Sequence, residues 1–255
     1  MTDGRIRTER EGHRFHIVID RAEKMNGFSP VMLRELAEAF TAFEESDARC
    51  AVLLAEGKHF TAGLDLNLTP PGEPLYPAGL VDPVGLRPPF RTKPVVAAVH
   101  GVCFTLGIEL ALAADIVVAA RSTRFSQLEV KRGLFAFAGA SIRMAERAGW
   151  GNAMMHLLTG DEFTAAEAFR LGFVQEVVED GQERARAFAV ADVICAQAPL
   201  AVQTTLRVAR LAAQQGPDAA VATYASEISK LIASADFEEG KKSFVERRAG
   251  NFTGQ

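Results

Sequence analysis

Cysteine is scarce in this chain. Cys50, Cys103 and Cys195 are far apart and odd in number within 255 residues. That speaks against a disulfide frame or a metal knuckle and fits free thiols in a reducing compartment. No block of Lys or Arg occurs, the net charge is -4 and the pI is about 5.8. A mildly acidic chain of this kind is poorly suited to nucleic acid or to an anionic membrane, although a few placed cations can still hold a polyanion. The N-terminal MTDGRIRTEREGHRF lacks the apolar core of a secretory signal, so a cytoplasmic location is expected. The most apolar stretch, 94–120, is interrupted by Glu109 and Asp115, which points to a buried core instead of a membrane span. There is no G-x-S-x-G nucleophile elbow, internal repeat or low-complexity tail.

What is present is ample apolar material. Hydrophobic residues make up 48% and charged residues 24%, enough for one large domain. RFHIVID (14–20), AVLLAE (51–56), PVVAAVH (94–100) and IVVAA (116–120) read as strands, and FVQEVVE (173–179) as another. Ser29 followed by Pro30 predicts a capped helix start, with Leu33, Leu36, Phe40 and Phe43 on its buried face. Residues 70–89 hold seven of the eleven prolines, which excludes regular helix or central strand and predicts a long, mobile loop with the character of a lid. From about 138 the pattern is mostly helical, with Leu206, Val208, Leu211, Tyr224, Ile228 and Leu231 supplying helical faces. Strands alternating with helices predict an α/β core with buried parallel strands.

Two carboxylates stand out. Between Lys93 and Arg121 there is no Lys or Arg, and Glu109 sits there beside Ile108, Leu110 and Ala111. Burial without a cation would raise its pKa, as in general acids and bases; the plainer reading puts it on the wet side of an amphipathic helix. Glu129, near Lys131 and Arg132, reads by default as a surface carboxylate. Two glycine turns accompany them. TAGLD (61–65) follows a strand and TLGIE (105–109) opens a helix, where backbone N–H groups are unpaired. Two such groups aimed at one point would form an oxyanion hole, although glycine at ordinary connections is common. His59 and His100 flank the turns and read as structural or rim residues.

Six segments in order resemble the crotonase (enoyl-CoA hydratase/isomerase) family: RAEKMNGF, KHFTAGLDL, HGVCFTLGIELALAADIVVA, FSQLEVKRGLFAFAGA, LTGDEFTAAEAFRLGFVQEVV and FEEGKKSFVERRAGNF. The resemblance runs from residue 14 to 252. It implies a crotonase-like α/β fold, a spiral of ββα units in 1–196, with a C-terminal helical region, 197–255, that serves trimerisation. It implies Glu109 and Glu129 as the acid/base pair, and the N–H groups of Ala62 and Leu106 as the oxyanion hole. Coenzyme A contacts are implied at Lys24, Ala62, Asp65, Leu66, Phe244 and Arg247. The implied partners are an acyl-CoA thioester and further copies of the chain, as trimer or hexamer. No metal and no redox cofactor is implied, coenzyme A being part of the substrate.

The chain also departs from the family pattern. Thr105-Leu106-Gly107 stands where glycines are frequent, Ala136-Phe137-Ala138-Gly139-Ala140 where Pro-Gly-Ala-Gly-Gly is familiar, and Ala22 where proline is usual. Phe135 and Phe137 put bulk near the acyl pocket. The activity implied is hydration of a trans-2-enoyl-CoA in fatty acid or related acyl-CoA metabolism. The alternatives are a sibling reaction (isomerase, thioester or C–C hydrolase, decarboxylase) or a non-catalytic CoA-binding relative. Retention of both glutamates favours the hydratase.

Overall fold

A computed structural model describes residues 4–68 and 74–255. Its framework is a six-stranded sheet in the order β1-β2-β3-β4-β6-β9. The strands are β1 (Arg5–Glu11), β2 (Arg14–Asp20), β3 (Cys50–Ala55), β4 (Val95–Val99), β6 (Ile116–Ala120) and β9 (Glu176–Val178). β1 runs antiparallel to β2, and every other neighbour is parallel. A second sheet of β5 (Val102–Phe104), β7 (Arg124–Ser126) and β8 (Phe163–Thr164) stands beside it.

The middle of the main sheet is buried on both faces, which is why β3, β4 and β6 read as continuous apolar runs. Ile17, Leu53, Ala97 and Val117 point into the larger core. Val18, Val52, Val96 and Val118 point the other way, onto helix α6 (Glu183–Cys195), whose Ala187, Ala191 and Cys195 close that face. Helix α1 (Pro30–Glu45) covers the larger core. Ser29 caps it by accepting from Met32 N, Pro30 opens it, and Leu33, Leu36, Phe40 and Phe43 are buried as their spacing requires.

Four strands escape the sequence pattern. β1 reads RIRTERE and is exposed along most of its length. It is held by Arg7, which pairs with Asp20 and Glu56 at 3.0 Å each, and its charges protect a free sheet edge. β5, β7 and β8 have three residues or fewer, too short for a periodicity to show. The expected strand at 173–179 contracts to β9.

Residues 74–89 contain no helix or strand, as the prolines dictate. Tyr76, Val81 and Val84 nevertheless join the core. Asp82 gathers the turn, accepting from Val84 N, Leu86 N and Arg87 N at 2.9–3.0 Å. This part of the expected loop thus packs against the core. Positions 70–73 of the expected loop lie outside the described residues.

After β5 come α2 (Leu106–Ala113), α3 (Ala140–Ala148), α4 (Trp150–Thr159) and α5 (Ala165–Arg170). Beyond α6 the chain is helical through α7 (Pro199–Gln215), α8 (Pro217–Val221), α9 (Tyr224–Ile232) and α10 (Ala235–Glu246). No residue of α7 or α9 is buried. The helical faces expected there exist, but Tyr224 and Ile228 face outward in the single chain. Among the described residues no single helix is long and apolar enough to cross a membrane.

One buried side chain ties the loop after β2 to the segment after β3. Asn26, with no exposed surface, accepts from Arg21 N at 2.7 Å and donates to Glu56 O at 2.8 Å and His59 O at 2.7 Å. It sits in the left-handed region (φ 55), which asparagine tolerates better than most residues. Asn26→Ala would take this partner from three backbone groups, the buried Arg21 N and the half-buried Glu56 O and His59 O, each costing on the order of 1 kcal/mol. We expect a loss of about 3 kcal/mol or more in urea unfolding; a variant within about 1 kcal/mol of wild type would refute this anchoring role.

Candidate active site

The site lies where the segment 61–65 meets the start of α2. Thr61 pairs beside β5: its N–H donates to Val102 O at 3.1 Å and its carbonyl accepts from Phe104 N at 3.0 Å. Leu64 is bridged to Phe28. Two glycines allow the close approach. A Cβ on Gly63 would lie 1.7 Å from Thr105 Oγ1, and one on Gly107 would lie 2.7 Å from Thr61 Cγ2. Both contacts exclude a side chain, so the two segments interlock.

The backbone donors can be counted. Of the five N–H groups in 61–65, Thr61 donates to Val102 O, Ala62 to Met25 O at 2.9 Å, Gly63 to Thr61 Oγ1 at 3.0 Å and Asp65 to Phe28 O at 2.9 Å. Leu64 N–H alone has no acceptor among the described residues. Ala62 therefore does not supply the free donor expected of it; its N–H is already spent on Met25, and the available one belongs to Leu64. Leu106 opens α2, where the first N–H groups have no helical partner, and its N–H is likewise unengaged among the described residues. Both residues line one cavity of about 200 Å³, together with Ala62, Leu66, Thr105, Glu109 and Glu129.

Thr105 aims the second donor. Its φ of 49 and ψ of -116 lie where a β-branched residue is strained, at a cost of order 1–3 kcal/mol. The strain is held by Thr105 N donating to Ser126 O, and by Thr105 O accepting from Ile108 N and Glu109 N.

Glu109 lies on α2, seven of whose eight residues are buried. The helix has no wet side, which removes the plainer reading of this carboxylate. Its Oε1 accepts from Ala138 N at 2.7 Å and Ala140 N at 3.2 Å. Burial pushes its pKa up to about 7; the Ala140 N–H opposes this and the charge of Glu129 adds to it.

Glu129 begins a 3-10 turn, Glu129–Arg132, and is only 9% exposed, while Lys131 and Arg132 are exposed and Arg132 lines the same cavity. The surface reading fails because this short turn buries Glu129 and leaves its basic neighbours exposed. Burial raises the Glu129 carboxyl as well. The buried Gln127 side chain, with its amide nitrogen toward Glu129, donates to Oε2 at 3.0 Å and Oε1 at 3.1 Å. Sequence reasoning missed Gln127, and its place two residues before Glu129 offered no signal.

The other expected residues divide. Leu66 lines the cavity and is 54% exposed. Asp65 pairs at 2.9 Å with the buried Arg21, which marks it as a brace of the loop. Lys24, Phe244 and Arg247 do not line the cavity of a single chain. Phe137 forms part of the wall, and Phe135 meets it edge-on at 6.0 Å. His59 Nδ1 accepts from Val102 N and His100 Nε2 lies 3.1 Å from Gly57 O, so both are structural. No group of three or more His, Cys, Asp or Glu able to hold a metal occurs among the described residues.

The raised Glu109 pKa makes stability depend on pH. Folding favours the neutral acid, so its contribution is complete below about 4.5 and is lost as pH rises through about 7. The loss is roughly 3 kcal/mol. Glu109→Gln lacks this titration. The stability of the variant relative to wild type should therefore grow by that order between pH 4.5 and 7 in paired denaturant curves. A difference flat across this range would show that Glu109 is not buried as an acid.

Comparison with known proteins agrees with this geometry. The family model for enoyl-CoA hydratase/isomerase matches residues 11–255. Enoyl-CoA hydratase EchA19 of Mycobacterium tuberculosis is 34% identical, over 96% of this chain and 94% of its own. 1,2-Epoxyphenylacetyl-CoA isomerase of Escherichia coli is 31% identical, over 94% of each chain. The crystal structure of a probable enoyl-CoA hydratase/isomerase from Mycobacterium abscessus superposes with a TM-score of 0.95 at 45% identity, covering 98% of both chains. With two carboxylates and two free N–H groups on one cavity, in a fold shared from end to end with these proteins, the chain belongs to the enoyl-CoA hydratase/isomerase (crotonase) family of enzymes.

Proposed function

We propose that the enzyme adds water across the 2,3 double bond of a trans-2-enoyl-CoA, giving a 3-hydroxyacyl-CoA. The observation that carries this reading is the pair of buried glutamates, both with raised pKa, on the cavity that also presents two unengaged N–H groups. Leu64 N–H and Leu106 N–H receive the thioester oxygen and hold the negative charge of the enolate, a donor of this kind being worth roughly 3 kcal/mol. Glu109 and Glu129 hold the water between them. Its oxygen bonds to C3 while Glu109 takes its proton, and Glu129 gives a proton to C2. Passage of a proton from Glu109 to Glu129 restores the pair. A carboxyl near pH 7 can accept and release a proton at neutral pH, which suits such a cycle. The chemistry is proton transfer with enolate stabilisation, so it needs no cofactor beyond the coenzyme A carried by the substrate.

The reading extends to assembly. Tyr224, Ile228 and Ile232 stand four residues apart on α9 and are 48%, 53% and 51% exposed, an apolar stripe without cover. Phe244 and Val245 on α10 are more exposed still. A homo-oligomer, trimer or hexamer, would cover these surfaces and could bring Phe244 and Arg247 of one chain to the coenzyme A of another. Sedimentation should show wild type as a trimer or hexamer and Ile228→Glu/Ile232→Glu as a monomer; a monomeric wild type would refute the assembly.

Mass analysis of products from an acyl-CoA panel tests the reaction directly, since gain of one water separates hydration from isomerisation. Glu109→Gln and Glu129→Gln should each lower hydration by about a hundredfold or more, with small effect on acyl-CoA affinity. The double variant should fall far less than the product of the two losses. If Glu109→Gln turns over normally while Glu129→Gln is dead, a single acid/base suffices and isomerisation is the better reading.

A further inference from the structure

We infer that Thr105 is more than the residue that aims Leu106: its hydroxyl is a third hydrogen-bond donor to the thioester oxygen. The inference rests on the enolate chemistry proposed above.

The argument begins with the backbone. At φ 49 and ψ -116 glycine is at ease and threonine is not. The path is fixed by main-chain bonds, Thr105 N to Ser126 O at 2.9 Å and Ile108 N to Thr105 O at 2.9 Å, none of which needs a side chain. Aiming the Leu106 N–H therefore explains the conformation but not the threonine. A strained residue persists where its side chain has a use.

The place of the side chain says what that use is. Thr105 Oγ1 packs onto Gly63, so closely that a Cβ there would meet it at 1.7 Å. The N–H that follows Gly63 in the chain is the free donor of Leu64, and the N–H that follows Thr105 is the free donor of Leu106. The hydroxyl thus belongs to the residue before one donor and packs on the residue before the other. Thr105 lines the cavity, and among the described residues its hydroxyl has no hydrogen-bond partner. An enolate oxygen can accept from three donors, and a hydroxyl donates one hydrogen and turns to suit the acceptor. A hydrogen bond to an anionic oxygen is stronger than one to a neutral carbonyl, so this donor acts mainly on the enolate.

Three variants separate hydroxyl, shape and strain. Thr105→Val keeps shape and strain without the hydroxyl, Thr105→Ser keeps the hydroxyl, and Thr105→Gly relieves the strain. The probes are crotonyl-CoA for turnover, acetoacetyl-CoA as an enolate-forming ligand, and butyryl-CoA as a ground-state ligand. We expect Thr105→Val and Thr105→Gly to lower kcat about tenfold or more and to weaken acetoacetyl-CoA binding by a similar factor. Butyryl-CoA binding should stay within about twofold, since a ground-state carbonyl gains little from the donor. Thr105→Ser should retain most of the activity, and Thr105→Gly should melt higher than wild type. Wild-type turnover in both Val and Gly variants would overturn the inference, as would equal weakening of both ligands, which is the mark of packing alone. If Thr105→Val does not fold, the Ser and Gly pair reads the same difference. If wild type hydrates no enoyl-CoA of the panel, the hydratase reading fails, while selective loss of acetoacetyl-CoA binding still reports the third donor.

Discussion

The site depends on how closely two stretches of backbone approach, and that distance is set by steric contact at two glycines. Gly63 admits Thr105, and Gly107 admits Thr61. With a side chain at either position the segments would part, and the N–H groups of Leu64 and Leu106 would no longer face one cavity. The interlock is itself braced from behind. Asn26 and Met25 occupy consecutive left-handed conformations, and the turn they make takes up the N–H of Ala62 and the hydroxyl of Thr61. A loop preceding α1 therefore decides which donor of the 61–65 segment is left over for chemistry.

The carboxylates are governed by a different constraint, burial that no neighbouring cation outweighs. Glu109 has backbone N–H groups on Oε1 and only Arg143 as a modest opposing charge, so burial dominates. Arg143 is turned away to Val84 O at 2.6 Å. Glu129 is held by the neutral amide of Gln127, which orients the carboxylate without adding a charge that would keep it ionised. In both groups burial thus shifts the balance toward the neutral form while the carboxyl remains hydrogen-bonded. A salt bridge at either position would have lowered its pKa and removed its capacity to donate a proton near neutral pH.

Much of the fold is legible in the sequence where a residue's environment follows from its neighbours in the chain. Strands β3, β4 and β6 are apolar throughout because both sheet faces are covered, β2 is largely so, and α1 is bounded by Ser29 and Pro30, whose roles are local. β1 is illegible because it is held by ion pairs with Asp20 at the end of β2 and Glu56 just after β3. The two glutamates could be singled out, Glu109 from its apolar flanks and Glu129 only through the resemblance. The identity of the free donor could not be read. Ala62 and Leu64 are equivalent in a spacing argument, and they differ only because Met25 O lies opposite one of them. Gln127 is missed for the same reason, its partner being fixed by a turn that begins after it.

Backbone donors and side-chain acids also differ in how they tolerate sequence change. A peptide N–H survives replacement of its side chain provided the conformation is kept, so Leu106 can stand in a glycine-rich position with its side chain buried in the core. Thr105 can stand beside it only because four main-chain atoms in Ser126, Ile108 and Glu109 and in its own carbonyl hold the strained path. In the proposed reaction no such substitution is open to the carboxylates, whose part in it resides in the exchangeable proton. The remaining freedom lies in the wall. Leu75 comes from an irregular segment, and Leu134 and Phe137 from the stretch between the Glu129 turn and α3. Side chains there can change the shape offered to the acyl group without moving α2, the 61–65 segment or the turn that carries Glu129. On the proposed reaction, enolate stabilisation would be fixed by the interlock, and acyl selectivity would be left to residues on which the interlock does not depend.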